Sequence, residues 1–320
     1  MITTNLHKAV ETLMKGELVA IPTETVYGLA ANANDDEALR KIYALKNRPF
    51  YNPLILHIHS LKQLQTVAAE IPNTAFKLAQ AFWPGPLTLV LKKQAGISNV
   101  VTSGKDTVAV RIPDHPLTLE LLSLLDFPLA APSANPFGQI SPTSAKHVYD
   151  YFGETIEVIL DGGECQKGIE STIVGFENDI PVLYRLGSVS LDDIQRVVGE
   201  VLVYNQESSG NEIKSPGMLA SHYAPRTTTY LTQDVDAALN LYPDKKIGLL
   251  LFQNTFENTK VSAREVLSIN GDFEEAARNL YAAMHRLDHL SLDVIIAQEL
   301  PNIGLGKSIN DRLTRASKKI

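Results

Sequence analysis

The chain has 320 residues, 44% of them hydrophobic and 20% charged, with a formal net charge of −7. That length buries one large core or two ordinary ones, and the acidic balance argues against a surface dedicated to nucleic acid, although a local basic cleft fits within it. A single cysteine, Cys165, excludes an internal disulfide framework and a thiolate zinc site, and every apolar run is shorter than the roughly 18 residues that span a bilayer.

The first segment, MITTNLHKAVETLMKGE, has helical spacing, with Leu6, Val10, Leu13 and Met14 on one face and a stop at Gly16. It carries acidic residues and lacks the apolar region of a signal peptide, so a cytosolic location without membrane attachment is expected. A buried strand at Leu18 to Ile21 runs into Thr23, Thr25 and Tyr27, short hydrogen-bonding side chains at a strand end, where α/β sheets bind ligands. Ala38, Ile42 and Leu45 predict a second helix, with Asn34 and Asp35 as cap candidates. Lys46 and Arg48 follow, beside Pro49 and Pro53, which restrict the backbone and aim the charges; that arrangement suits phosphate.

Extended apolar runs come next, at Leu54 to Ile58, Leu87 to Leu91, Val108 to Ile112, Leu129 to Ala131, Val158 to Leu160, Thr172 to Val174 and Val182 to Tyr184. Many short strands separated by helices and proline-rich turns predict an α/β fold with a large twisted mixed sheet and helices against it. From Tyr204 to Arg226 the periodicity stops, which divides the chain into a unit at 1–203, a linker at 204–226 and a smaller unit at 227–320. The linker is not glycine- and serine-rich throughout, as a passive tether would be, and a lid over the site is expected of it. Beyond it a helix near Asp234 to Leu241, a strand at Ile247 to Phe252, a long helix at Phe273 to Leu290, a strand at Val294 to Ala297 and a last helix at Asn310 to Lys318 suggest a compact Rossmann-like domain.

Some motifs fail on inspection. Gly304 to Ser308 ends like a phosphate-binding loop, but Pro301 stands where that pattern needs glycine. His285 and His289 have zinc-like spacing without a third ligand, so a solvated helix face is expected. Cys165 has no paired histidine nearby in sequence and reads as packing or an exposed thiol.

Three other stretches favour a site. Arg111 is the charge inside the apolar strand TVAVRIP; a buried guanidinium must be paired, either internally or with a ligand carboxylate or phosphate. APSANPFGQISPTS ends a strand in hydroxyls, the Asn135 amide and backbone N–H groups that could line an anion pocket or simply cap a turn. In DGGECQKGIESTIVG the glycines allow close backbone approach near Ser171 and Thr172.

Taken together with PTETVYGLAANA, KNRPFYNPLILHI and WPGPLTLVL, these stretches resemble, in order and spacing, the YrdC family, the threonylcarbamoyl-AMP synthases. SPGMLASHYAP and GLGKSINDRLTRAS resemble the longer, two-domain form; one departure is Leu186, where the family usually has proline. The resemblance implies a nucleotidyltransferase that converts L-threonine, bicarbonate and ATP into threonylcarbamoyl-AMP and diphosphate, for threonylcarbamoyladenosine modification of tRNA by downstream transferase proteins. It also implies site residues. Thr25, His57, Arg111, Ala131 and Ser171 would hold L-threonine, the Ala131 contribution coming from backbone, while Lys46, Arg48, Asn52, Thr107, Ser133, Asn135, Ser141, Arg185 and Tyr223 would hold ATP. No covalent nucleophile is expected, and Mg2+ would be held by ATP oxygens and water rather than by a protein ligand set. Two alternatives are an RNA-binding module of the same fold, with direct tRNA binding, and another carbamoyl-transferring enzyme. The acidic balance weighs against the first, and the lack of a fused acylphosphatase-like or zinc-cysteine segment against the second.

Overall fold

The computed structural model describes residues 1–204, 222–254 and 261–319. Its first elements are β1 (Ile2–Thr3), α1 (Leu6–Met14), β2 (Val19–Ile21), β3 (Gly28–Asn32), α2 (Asp36–Lys46), β4 (Ile55–His57), α3 (Leu61–Val67), β5 (Ala68–Glu70), α4 (Asn73–Phe82) and β6 (Leu87–Lys93). There follow α5 (Asn99–Thr102), β7 (Thr107–Arg111), α6 (Pro116–Ser123), β8 (Leu129–Ala130), α7 (Ala145–Phe152), β9 (Val158–Leu160), β10 (Thr172–Glu177), β11 (Ile180–Arg185), α8 (Leu191–Val198) and β12 (Leu202–Val203). The last group is β13 (Thr229–Thr232), α9 (Val235–Asn240), β14 (Ile247–Leu251), β15 (Ala263–Val266), α10 (Phe273–Asp288), β16 (Val294–Gln298), α11 (Leu305–Ala316) and β17 (Lys318–Lys319).

Among the described residues the strands form two sheets. A mixed sheet of twelve strands runs β1-β9-β2-β3-β8-β4-β7-β6-β10-β11-β12, with β5 paired to β6, and a five-stranded sheet runs β15-β14-β16-β13-β17. Every pair in the smaller sheet is parallel, as a Rossmann-like unit requires, since parallel neighbours need crossover connections. In the large sheet β4 and β7 are parallel and place His57 opposite Arg111, with the antiparallel β8 on the other side of β4. That register brings two residues far apart in sequence to one sheet end.

Local chemistry explains why the site-bearing elements stop where they do. The Asp35 side chain caps α2 by accepting from the N–H groups of Glu37 at 2.9 Å and Ala38 at 3.2 Å. The other end turns at Asn47, whose φ of 51° lies in the left-handed region that asparagine tolerates, and Arg48 N then bonds Tyr43 O at 2.9 Å. The helix thus ends on Lys46 and folds the chain back so that Arg48 points the same way.

The two sheets share apolar packing. Val26, Ile140 and Ile169 of the first unit cluster with Leu280, Tyr281 and Met284 of α10, and burial of a side chain such as Leu280 contributes about 1.5–3 kcal/mol. A Cβ on Gly168, which has φ 72°, would run into the backbone of Arg278, so glycine there lets α10 approach closely.

Two expectations change, and a third falls mostly outside the described residues. The last helix is α11 at Leu305–Ala316 rather than Asn310 to Lys318; it is entered through Gly304 at φ 47° without a side-chain cap, a glycine- and serine-rich start that disguises a helix. Its Ser308 hydroxyl donates to Gly187 O at 2.8 Å, so this segment packs against the first unit. His285 is not on a solvated face: it is buried, its ring stacks on His147 with centroids 4.0 Å apart, and its Nε2 lies 3.2 Å from Ser141 O. Of the linker and the lid expected at 204–226, residues 205–221 lie outside the described residues. Where the chain resumes, His222 N bonds Arg315 O at 3.1 Å and Ala224 N bonds Gly138 O at 2.8 Å, which ties it to both units. Among the described residues no helix is long and apolar enough to cross a membrane.

Candidate active site

A cleft opens at the end of β4 and β7, between the β2–β3 turn, the end of α2, the loop after β8 and the start of β10, with His222 and Tyr223 closing one side. Seven of the nine buried side-chain polar atoms that have no hydrogen-bond partner among the described residues belong to Glu24, Asn52, Arg111, Asn135, His222 and Tyr223, in or directly behind this cleft. Two of the seven, Glu24 Oε1 and Arg111 Nη2, face each other as an ion pair; leaving a group such as the other five unsatisfied costs about 1–3 kcal/mol, so their concentration marks a place where a ligand or water completes the bonding.

One half of the cleft is built on Arg111. Thr23 pins the preceding turn: its Oγ1 donates to Val26 O at 2.6 Å, accepts from Thr25 N at 3.2 Å and lies 2.8 Å from Thr25 Oγ1. Thr25 Oγ1 is thereby held 3.0 Å from Arg111 Nη1, while Arg111 Nε donates to Gly85 O at 3.2 Å. The third limb of the fork, Nη2, stands 2.5 Å from Glu24 Oε1, with both side chains at least 95% buried. That contact is an ion pair at close range without the alignment of a hydrogen bond, since both atoms count among the unpartnered ones. Of five N–H donors, two are hydrogen-bonded and one nitrogen is turned to Glu24 as an ion pair, which leaves N–H groups for a ligand. His57 lies beside it, and burial, reinforced by the Arg111 charge, pushes its pKa down to about 3, so it is a neutral hydrogen-bonding group at ordinary pH.

The other half is cationic. Lys46 Nζ donates to Ser133 O at 2.5 Å and to Asn135 O, and Arg48 donates to Asn52 O at 3.0 Å and Pro53 O at 2.8 Å. Arg185 donates from Nη2 to Ser171 O at 2.8 Å and to Ser171 Oγ at 3.2 Å. All three cations are buried, and their pKa values fall: burial comes first in each case, and Arg48 adds to it for Lys46. Arg48 is brought down to about 10. A site that holds three desolvated positive groups this close is poised for a polyanion, which would relieve their mutual repulsion.

Of the expected residues, Thr25, His57, Arg111, Ala131, Ser171, Lys46, Arg48, Ser133, Asn135, Arg185 and Tyr223 line the cleft. Asn52 sits behind Arg48 and Ser141 behind Glu170, its Oγ donating to Glu170 Oε1 at 2.7 Å. Thr107 begins β7, four residues before Arg111, which places it about 13 Å along the strand from the arginine. The sequence reading passes over Glu24, Glu170 and His222. Each had a signal: Glu24 and Glu170 sit inside the hydroxyl-rich TET and IEST, next to expected ligand residues, and His222 precedes Tyr223. Gly187 allows the close approach at Ser171, because a Cβ there would run into the Ser171–Thr172 peptide.

The family model described as "Telomere recombination" (Sua5, YciO and YrdC) matches residues 11–187, and one described as "Threonylcarbamoyl-AMP synthase, C-terminal domain" matches 189–318. The chain belongs to the Sua5/YciO/YrdC family. Two relatives share this two-part extent. A threonylcarbamoyl-AMP synthase of Pyrococcus abyssi is 43% identical over 95% of this chain and 92% of its own, and one of Bacillus subtilis is 40% identical over 97% and 92%. Among solved structures, P. abyssi Sua5 complexed with L-threonine superposes with a TM-score of 0.89 at 40% identity, covering 98% of this chain and 96% of that one. Similarity to these Sua5/YciO/YrdC proteins therefore extends through the smaller sheet and its helices, including α11.

Proposed function

We propose that this protein is a threonylcarbamoyl-AMP synthase, a nucleotidyltransferase that joins L-threonine, bicarbonate and ATP and supplies the product for tRNA modification in the cytosol. The observation that carries this reading is one buried cleft with a single-arginine pocket on one side and three desolvated cations on the other, in a chain 40% identical to a protein solved with L-threonine. In this reading 1–203 forms the catalytic unit and 227–320 the C-terminal one.

The chemistry asks for positioning rather than covalent help. Threonine's amine and bicarbonate give a carbamate with loss of water; a carbamate oxygen then attacks the α-phosphorus as the bond to the diphosphate oxygen breaks and diphosphate leaves. Arg111 would take the threonine carboxylate on its remaining donors, with Thr25 and the Ser171 hydroxyl beside it. Ala131 N already donates to Ile55 O at 3.0 Å, so its backbone contributes the carbonyl. Neutral His57 would bond the substrate without competing for the carboxylate. Lys46, Arg48 and Arg185 would hold the phosphates and the charge that develops on the leaving diphosphate, with Ser133, Asn135, Asn52, Ser141 and Tyr223 around the nucleotide and Thr107 the remotest member.

Among the described residues no group of three or more His, Cys, Asp or Glu side chains could hold a metal ion. Glu24 and Glu170 are each paired with an arginine, so these residues do not form a site for a bare cation, and Mg2+ would arrive on ATP oxygens.

The deciding experiment is diphosphate release from ATP with L-threonine and bicarbonate supplied together or singly. Release should need all three, because the attacking carbamate does not exist otherwise. Equal release without threonine would overturn the assignment.

A further inference from the structure

The cleft belongs to the large sheet, yet its floor is held by the smaller unit. Arg312 of α11 has no exposed side-chain surface and crosses into the first unit. Its Nε donates to Glu170 Oε2 at 2.8 Å, its Nη2 to Leu186 O at 2.7 Å and its Nη1 to Asp311 Oδ2 at 2.6 Å, and the guanidinium lies 5.1 Å from the centre of the Tyr223 ring. Glu170 and Leu186 are the chain neighbours of Ser171 and Arg185. One side chain thus grips the segments just before β10 and just after β11, next to the expected phosphate-binding arginine and its serine partner, and lies over the ring of Tyr223.

Glu170 is the reason this grip matters. It is a buried carboxylate lining the cleft, and it accepts from Ser141 Oγ at 2.7 Å and from Tyr281 Oη at 3.0 and 3.1 Å, but those donors are neutral. Arg312 supplies its charge partner. The next cation that Glu170 senses is Arg185, which, with Arg312, holds the acid's pKa at about 2 against the burial that would raise it. A buried carboxylate that loses its partner takes the nearest substitute.

We infer that Arg312 is a positioning residue for the nucleotide side of the cleft: by occupying Glu170 it keeps that carboxylate from drawing Arg185 off Ser171 and away from the phosphates. The C-terminal unit is therefore part of the nucleotide site without touching the substrate. Because Arg312 binds Leu186 through the carbonyl, the arrangement is indifferent to leucine standing at that position.

The inference rests on the proposed function, and direct binding separates the two. Calorimetric titration of the full chain with ATP and with L-threonine should show wild-type binding of both. Arg312→Met should weaken ATP at least tenfold and change L-threonine less than threefold, because only the nucleotide side loses its cation. Adding Glu170→Gln should restore ATP to within threefold of wild type, since the captor carboxylate is gone. A merely structural prop predicts the opposite, with both ligands losing affinity together and the second substitution making matters worse. If Arg312→Met fails to fold, Arg312→Lys keeps one charge near Glu170 but cannot form the fork to Leu186 O and Asp311, and should show a smaller ATP-selective loss with the same rescue. ATP binding unchanged in these variants, or no rescue, overturns the inference alone. A wild-type chain that binds neither ligand overturns the proposed function and takes the inference with it.

Discussion

Arg111→Ala is expected to fail twice, once in folding and once in binding, and the structure lets the two failures be separated. The guanidinium and Glu24 are 5% and 4% exposed and 2.5 Å apart, so alanine leaves a carboxylate buried with its N–H contact from Asp114 and no cation. Breaking a buried ion pair from one side costs about 3–5 kcal/mol, roughly a 6–20 °C drop in melting temperature on the usual scaling for large domains. Loss of the charged partner of a desolvated substrate carboxylate costs a further ~2–4 kcal/mol in threonine affinity, or roughly 30- to 900-fold. Glu24→Gln combined with Arg111→Met removes both charges, and such neutral replacements of buried pairs are often tolerated. Thermal unfolding and calorimetric titration with L-threonine should then show stability largely recovered and threonine binding still absent. Threonine affinity that returned together with stability would refute the reasoning, because Arg111 would then serve only as Glu24's partner.

Two further outcomes concern pH. Lys46 has its pKa lowered by burial and by Arg48, and bound phosphates would raise it again, so over the pH range in which the free protein's lysine is partly neutral ATP binding should take up a proton and weaken as pH rises. Calorimetry in buffers of different ionisation enthalpy measures that uptake, and Lys46→Met should abolish it; an uptake unaffected by the substitution assigns the proton elsewhere. On the acid side, burial depresses His57, His222 and His285 to about 3 and His147 to about 4. Their folded pKa values lie below the unfolded 6.5, so between about pH 6.5 and pH 4 the unfolded chain binds protons that the folded chain refuses, and stability falls with pH. At pH 5 each separate histidine should cost about 2 kcal/mol, with the stacked His147 and His285 behaving as a coupled pair. Urea unfolding at pH 7.5 and pH 5 checks the sum, and an unchanged midpoint would mean that these rings are protonated in the folded protein.

How much of this was legible in the sequence depends on whether the controlling interaction is local. The β2, β4, β6, β7 and β10 strands declare themselves as apolar runs between turn residues, and α2 declares its start through Asp35, whose cap bonds span three residues. The hydroxyls and cations of the cleft were legible for a related reason: Thr25, Lys46, Arg48 and Arg111 each break a local pattern, as polar side chains at the ends of buried elements. Their assembly was not, since the His57–Arg111 register depends on β4 pairing with β7 across fifty-odd residues. Small strands such as β12, β15 and β17 carry no distinctive run and form because a neighbouring edge is available.

The acids were the least legible part, and the reason is physical. An acidic residue in a turn reads as solvated until tertiary structure removes the water; no cation lies within a few residues of Glu24, and the one near Glu170, Lys167, faces Glu274 instead. Glu24 finds its charge on β7 and Glu170 finds its own on α11, 142 residues away in the other unit. Both pairs lie directly behind side chains expected to meet substrate. A site that must hold several cations out of water needs carboxylates to balance them, but a carboxylate left mobile would compete with the substrate's phosphate or carboxylate for those same cations. Fixing each acid on a dedicated arginine resolves that conflict. It also explains why a cleft built mainly on the large sheet has one of its buried acids held by an arginine from α11 of the second unit, which among the described residues does not itself line the cleft.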